Sequence, residues 1–292
     1  MGQDALGRAP MPEVELVRLA RILARFLAGR QPAPAGMQVA GRYAGHGLDF
    51  LDFRAYEAGD DLRSVDWRAS ARSAGVLVRR YCGEAASDWF LCIDASASMS
   101  FAGGRKWQQA RQLAQAFAYV QLHLGHRVAL LLFSRNVDVY CPLGRGHAQY
   151  ARIAGALAGH EPRARGGGSN LGNCIARLGR NSPALVISDL LAEDAMIPAL
   201  TRMRARQGEL HLLQVTDHQD VRLPDVDDLL LEDLESGRRS HWHNTGVLEA
   251  SARLAALERE VAEWSRQHRV TFSSVRWDAH WRDVLLRHFM AG

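Results

Sequence analysis

The chain has 292 residues, 47% of them apolar and 23% charged. That length and balance allow one large domain, or one domain with an appended subdomain, and exclude wholesale disorder, collagen-like repeats and coiled coils. The formal charge is only +4, from 36 basic against 32 acidic residues, and the basic residues form no long run, so no nucleic-acid partner is expected.

The first thirty residues carry charges throughout, and no apolar stretch approaches the roughly 18 residues a membrane span needs, so a soluble, cytoplasmic protein without a membrane span is expected. Residues 1–35 read as an N-terminal amphipathic helix and linker. Leu16, Leu19, Leu23, Phe26 and Leu27 share one stripe, with Arg18, Arg21 and Arg25 on another face, and a Pro-rich stretch from Gln31 to Gly36 ends the helix. Such a stripe suits packing against the domain that follows. Residues 36–88, rich in charge, glycine and aromatics, read as a small, irregular β-containing subdomain ending in a strand from Val76 to Tyr81.

From residue 89 to 292 the pattern changes to apolar runs at Trp89–Ile93, Val128–Phe133, Ala184–Ile187, Leu210–Val215 and Val270–Val275. Between them lie stretches of helical periodicity such as Ala110, Leu113, Ala114, Phe117, Val120 and Leu124. Apolar strands alternating with amphipathic helices predict an α/β domain with a doubly wound, mainly parallel sheet. A hairpin insertion is expected near 217–246, with its turn near Gly237. Cys82, Cys92, Cys141 and Cys174 form no CxxC pair and read as buried free thiols. His241 and His243 alternate on one strand but lack a third ligand nearby, so an exposed edge strand is expected there. Only Lys106 among the basic residues is a lysine, an arginine bias that fits a GC-rich genome.

In a doubly wound sheet ligands gather beyond the carboxyl ends of the strands. Three loops should meet there: Asp94-Ala95-Ser96-Ala97-Ser98, the glycine loop from Gly166 to Gly172 containing Ser169, and Ser188-Asp189-Leu190. An extended loop points every second side chain the same way, so Asp94, Ser96 and Ser98 can face one ion. Two carboxylates and several hydroxyls are hard oxygens, which suit Mg²⁺, or Mn²⁺, over zinc or copper.

The Asp94-x-Ser96-x-Ser98 motif, the Gly-Gly-Ser loop and the strand-terminal Asp189 resemble the metal ion-dependent adhesion site of von Willebrand factor type A domains. The upstream text, with Gly41-Arg42, Arg54-x-Tyr56, Gly59-Asp60-Asp61-x-Arg63, Asp66-Trp67 and Ser70-Ala71-Arg72, resembles the bacterial family called domain of unknown function 58. That family joins such a segment to a von Willebrand factor A-like fold, and the resemblance spans roughly residues 36 to 290. It implies Asp94, Ser96 and Ser98 as first-loop metal ligands, Ser169 as the second-loop ligand and Asp189 as the third-loop acid. The second loop usually supplies threonine where this chain has Ser169, and the third often reads Thr-Asp-Gly where it has Ser188-Asp189-Leu190. The resemblance also implies a protein partner, a MoxR-type AAA+ ATPase, in chaperone-like or complex-maturation work. Arg54, Asp60, Asp61, Arg63, Asp66 and Trp67 could form a partner-contact surface, although acids interleaved with arginines equally suit an internal ion-pair and turn network.

Catalysis is not expected. Asp94 sits where a haloacid dehalogenase-type phosphatase has its nucleophile, but position 96 is serine and no second carboxylate follows. Neither Ser96 nor Ser98 lies in a GxSxG elbow, and Gly166–Gly172 lacks the Gly-Lys-Ser/Thr ending of a P-loop. The expectation is a non-enzymatic, metal-dependent protein-protein interaction module. A Mg²⁺-dependent phosphoryl-transfer enzyme using Asp94 and a scaffold with an unoccupied metal site stand as the alternatives.

Overall fold

A computed structural model describes residues 12–28, 49–56, 65–73, 75–82, 86–162, 168–191, 196–217, 228–232 and 239–291. The chain divides into two compact units, Ala24–Ala86 and, together, Met1–Leu23 and Ser87–Gly292.

In the smaller unit, strand β1 (Asp49–Ala55) pairs antiparallel with β2 (Leu77–Cys82), with an irregularity between Phe50 and Asp52. The short helix α2 (Trp67–Ser70) is started by Asp66, whose carboxylate accepts the backbone amides of Arg68 at 2.9 Å and Ala69 at 3.0 Å. Asp66 thus satisfies two amides that a helix start leaves without partners.

The larger unit is a six-stranded sheet in the order β10-β7-β6-β3-β4-β5. Its strands are β3 (Asp88–Asp94), β4 (Arg127–Phe133), β5 (Val137–Gly144), β6 (Ala184–Ser188), β7 (Leu210–Thr216) and β10 (Thr271–Arg276). All neighbours run parallel except β4 and β5. Edge strand β5 has no apolar run in the sequence, because its residues alternate between exposed and more buried positions and include Pro142, a residue tolerated at sheet edges.

Alternation on the central strands divides the core between the two faces. Leu91, Ile93, Leu130, Leu132, Leu185, Ile187, Leu213 and Val215 face a layer that includes α3 (Ala97–His123), α4 (Gly146–Gly159) and α7 (Trp281–Ala291). The intervening Phe90, Cys92, Ala129, Leu131, Val186 and Leu212 face α5 (Met196–Arg206), a 3₁₀ helix (Leu171–Arg177) and α6 (Asn244–Gln267). Burial on both faces is why these strands read as continuous apolar runs. Leu16, Leu19, Ala20 and Leu23 of α1 (Glu13–Ala28) are at most 2% exposed and join the first layer. Cys92, Cys141 and Cys174 are free and buried, while the Cys82 side chain lies outside the described residues. Strands β8 (Asp228–Glu232) and β9 (Arg239–His243) form a separate antiparallel pair in the segment that interrupts the alternation. The imidazoles of His241 and His243 lie outside the described residues.

One polar chain crosses the core at the amino ends of β7 and β10. Glu209 Oε1 meets His211 Nε2 at 2.8 Å, His211 Nδ1 meets His288 Nε2 at 3.1 Å, and His288 Nδ1 meets Ser273 Oγ at 2.8 Å. Every link is satisfied with His288 neutral: it donates from Nε2 to His211 and accepts the Ser273 hydroxyl at Nδ1. Burial, and then the neighbouring His211, lower the His288 pKa to about 3. A histidine in the unfolded chain takes up its proton near pH 6.5, so below that value the unfolded state binds more protons. The contribution of His288 is therefore complete above pH 6.5 and drains away as the pH falls toward about 3. Denaturant unfolding at pH 7.5 and pH 5 should show a loss of about 2 kcal/mol from this residue. His288→Leu should flatten that slope by one proton while lowering stability at pH 7.5, since it removes the donor to His211 Nδ1.

Candidate metal site at the carboxyl edge of the sheet

Strand β3 lies between β4 and β6, so the chain leaves it toward one side of the sheet and returns on the other. The crevice of a doubly wound fold opens at such a point. Asp94 ends β3 and is fully buried. The register that sets Ile93 beside Ile187 brings Ser188 level with Asp94 on the next strand. Asp94 Oδ1 accepts the backbone amide of Ser96 at 2.9 Å, and its Oδ2 accepts hydroxyl hydrogen bonds from Ser169 and Ser188, both at 2.7 Å. Ser96 Oγ lies 3.0 Å from Ser98 Oγ. The second loop is held against the loop after β4 by the Asn170 amide donating to the Ser134 carbonyl at 2.8 Å. Asp94, Ser96, Ser98 and Ser169 are thus linked around one carboxylate, with Ser98 and Ser169 half-buried and Asp94 and Ser96 buried.

The third-loop acid has a different partner. Asp189 Oδ2 accepts a hydrogen bond from the Lys106 ammonium at 2.8 Å, and the two side chains are 2% and 1% exposed. Its Oδ1 accepts the Leu191 amide at 3.2 Å. One position earlier in α3, Arg105 pairs with Asp217, just beyond the end of β7, at 3.2 Å, and stacks over the Trp277 ring at 4.6 Å. Consecutive basic residues therefore meet acids at the ends of adjacent strands. Ahead of them Gly103 and Gly104 have φ of +78° and +72°, a left-handed path that interrupts the regular helix and that glycine adopts freely. The motifs do not point to Lys106, or to Ser188 as the donor to Asp94. The singularity of Lys106 among the basic residues was the only sequence signal for it.

Residues 52–261 match the family described as "Protein of unknown function DUF58". The chain belongs to the DUF58 family. It is 30% identical over 257 residues to the uncharacterized proteins Rv1480 of Mycobacterium tuberculosis and Mb1516 of Mycobacterium bovis, covering 85% of this chain and 80% of each relative. Among solved structures it is similar to the conserved hypothetical protein BatB from Bacteroides thetaiotaomicron, at 15% identity and a TM-score of 0.44, over 70% of this chain and 98% of that one. It is also similar to the SpRpn10 VWA domain, at 11% identity and a TM-score of 0.39, over 69% and 94%. The doubly wound, mainly parallel sheet expected from the sequence is the fold observed.

In this DUF58 chain the upstream motif divides. Asp66 caps α2, its backbone carbonyl accepts the Ser70 hydroxyl at 2.7 Å, and that hydroxyl accepts the Leu77 amide at 2.8 Å. Trp67 is 64% exposed. Asp60, Asp61 and Arg63, and the side chain of Arg54, lie outside the described residues.

The donor chemistry around Asp94 fits a small, hard, divalent cation. Oxygens about 2.1 Å from Mg²⁺ in an octahedron are about 3.0 Å from one another, the separation seen between Ser96 Oγ and Ser98 Oγ. Asp94, Ser96, Ser98 and Ser169 could hold it. Among the described residues no group of three or more His, Cys, Asp or Glu side chains is placed to hold a metal, so the donors at this site are mainly hydroxyls. Without a cation, the Asp94 carboxylate is costly. Burial, followed by the charge of Asp189, raises its pKa to about 6, against the lowering effect of hydrogen bonds from Ser96, Ser188 and Ser169. Its contribution to stability is full below about pH 4 and is lost as the pH rises through about 6. In chelator, Asp94→Asn should therefore melt higher than the unaltered chain at pH 7.5, by about 1–3 kcal/mol. The gap should close toward pH 4, as thermal melting of both proteins across this range would show.

Proposed function

We propose that this DUF58 protein is a non-enzymatic protein-interaction module whose bound Mg²⁺ receives an acidic side chain of a partner. The observation that carries the reading is the convergence on the fully buried Asp94 carboxylate of the Ser96 amide from the first loop, the Ser169 hydroxyl from the second and the Ser188 hydroxyl beside the third-loop acid. The half-buried Ser98 and Ser169 lie on the side from which a partner would approach. A bound divalent ion supplies a positive charge that a carboxylate from outside can complete, while Asp94, Ser96, Ser98 and Ser169 hold and orient it. The family resemblance makes a MoxR-type AAA+ ATPase the expected partner, in chaperone-like or complex-maturation work. Among the described residues no helix is long and apolar enough to cross a membrane.

Calorimetric titration of the full chain with Mg²⁺ and Mn²⁺ should show binding that Asp94→Asn abolishes and Ser169→Ala weakens by about tenfold. A MoxR-type ATPase should be retained on the immobilised protein in Mg²⁺ and released by chelator. Retention that ignores both chelator and Asp94→Asn would defeat the metal-dependent reading, and an absence of ion binding would make the protein a scaffold. Metal-dependent turnover of generic phosphate esters, lost in Asp94→Asn, would establish an enzyme instead.

A further inference from the structure

We infer that Lys106 is a resident counter-cation for the third-loop acid: its ammonium holds Asp189 out of the inner shell of an ion on Asp94, leaving that ion more positive toward a partner's carboxylate. The inference rests on the metal reading above, and its starting point is the choice of residue. Lysine is almost never fully buried unless paired, yet the single lysine of the chain is among its largest fully buried side chains. The ammonium meets Asp189 Oδ2 at 2.8 Å. The other oxygen is engaged by the Leu191 amide at 3.2 Å, and the Asp189 backbone carbonyl accepts Gln214 Nε2 at 3.3 Å. Asp189 is thus held at both carboxylate oxygens and at its backbone.

Asp94 is held differently. Its partners are the Ser96 amide and the hydroxyls of Ser169 and Ser188. A hydroxyl has both a hydrogen and lone pairs, so it can keep its bond to Asp94 and still offer oxygen to an ion, whereas an ammonium has only hydrogens. Two ionised carboxylates in the inner shell would cancel both charges of a divalent cation. With Lys106 neutralising Asp189, one carboxylate faces the ion and a net positive charge remains for an acidic residue from outside. The left-handed Gly103-Gly104 step precedes Lys106 on its route to the strand end.

The test is titration of the full chain with Mn²⁺, paired with thermal melting in chelator and in saturating Mn²⁺. Lys106→Met frees the Asp189 carboxylate, so this variant should bind Mn²⁺ at least about tenfold more tightly than the unaltered chain. Its melting temperature should fall in chelator and recover on adding Mn²⁺. The double variant Lys106→Met with Asp189→Asn should lose the gain in affinity. Equal affinity in Lys106→Met and the unaltered chain, or a gain that survives in the double variant, would overturn the inference. If Lys106→Met does not fold in chelator, refolding by Mn²⁺ supports it, and failure to refold while the double variant folds refutes it. The metal reading is judged separately on the unaltered chain against Asp94→Asn. Should the unaltered chain bind no Mn²⁺ while Lys106→Met binds it through Asp189, the counter-cation stands and the resident metal falls; if neither binds, both fall.

Discussion

A carboxylate with no solvent exposure sits at the end of the central strand, and the carboxyl edge of the sheet is arranged around the cost of keeping it there. Moving an ionised carboxylate into a protein interior is expensive unless it is paired or hydrogen-bonded. Asp94 receives an amide and two hydroxyls, which are neutral donors. Its pKa nevertheless rises to about 6, with burial the first cause. The three bonds soften the cost without removing it. A small cation would remove it, and the same three loops that soften the cost supply the oxygens such a cation prefers.

The neighbouring acids resolve the same problem by another route. Asp189 and Asp217, at the ends of β6 and β7, are each 2% exposed and are matched by Lys106 and Arg105 from one stretch of α3. Breaking such a pair on one side leaves a buried charge and costs about 3–5 kcal/mol, so these contacts fix α3 against the strand ends. The arrangement separates structure from binding. Acids that hold the frame have their own cations, while the fully buried Asp94 has hydroxyl partners whose lone pairs remain available.

The doubly wound sheet was legible because strands buried on both faces read as apolar runs, and because Ala110, Leu113, Ala114 and Phe117 recur at helical spacing and are buried. Strand β5 was not, since an edge strand buries only alternate residues and leaves no such run. In the first loop only Ser96 is extended, because Ser98 already belongs to the first turn of α3, so the alternation of an extended loop does not reach it; in the second loop Ser169 does reach Asp94. Lys106 was not legible, because its partner lies 83 residues away and nothing local in the sequence encodes that contact. Ser188 was visible only as the neighbour of Asp189, although register makes it the direct donor to Asp94. Asp66 could be read as a contact residue or as part of a turn network, and its carboxylate caps α2.

The third loop shows how a departure from a family pattern can preserve geometry. Where the pattern often has glycine, Leu190 takes φ +60°, in the left-handed region. For a residue with a Cβ this conformation costs roughly 1–2 kcal/mol. The Leu190 side chain is fully buried in the layer that includes α5, and burying a leucine gains about 1.5–3 kcal/mol. Burial therefore offsets the strain, and the loop keeps a glycine-like path while anchored in the core. The Leu190 amide donates to Ser188 Oγ at 3.0 Å, which fixes the hydroxyl that in turn donates to Asp94. The acid side of the site is accordingly set by the core and by Lys106, before any ion arrives. Ser98 and Ser169 remain half-buried on the other side, so adjustment to an ion or to a partner's acid falls to the first and second loops.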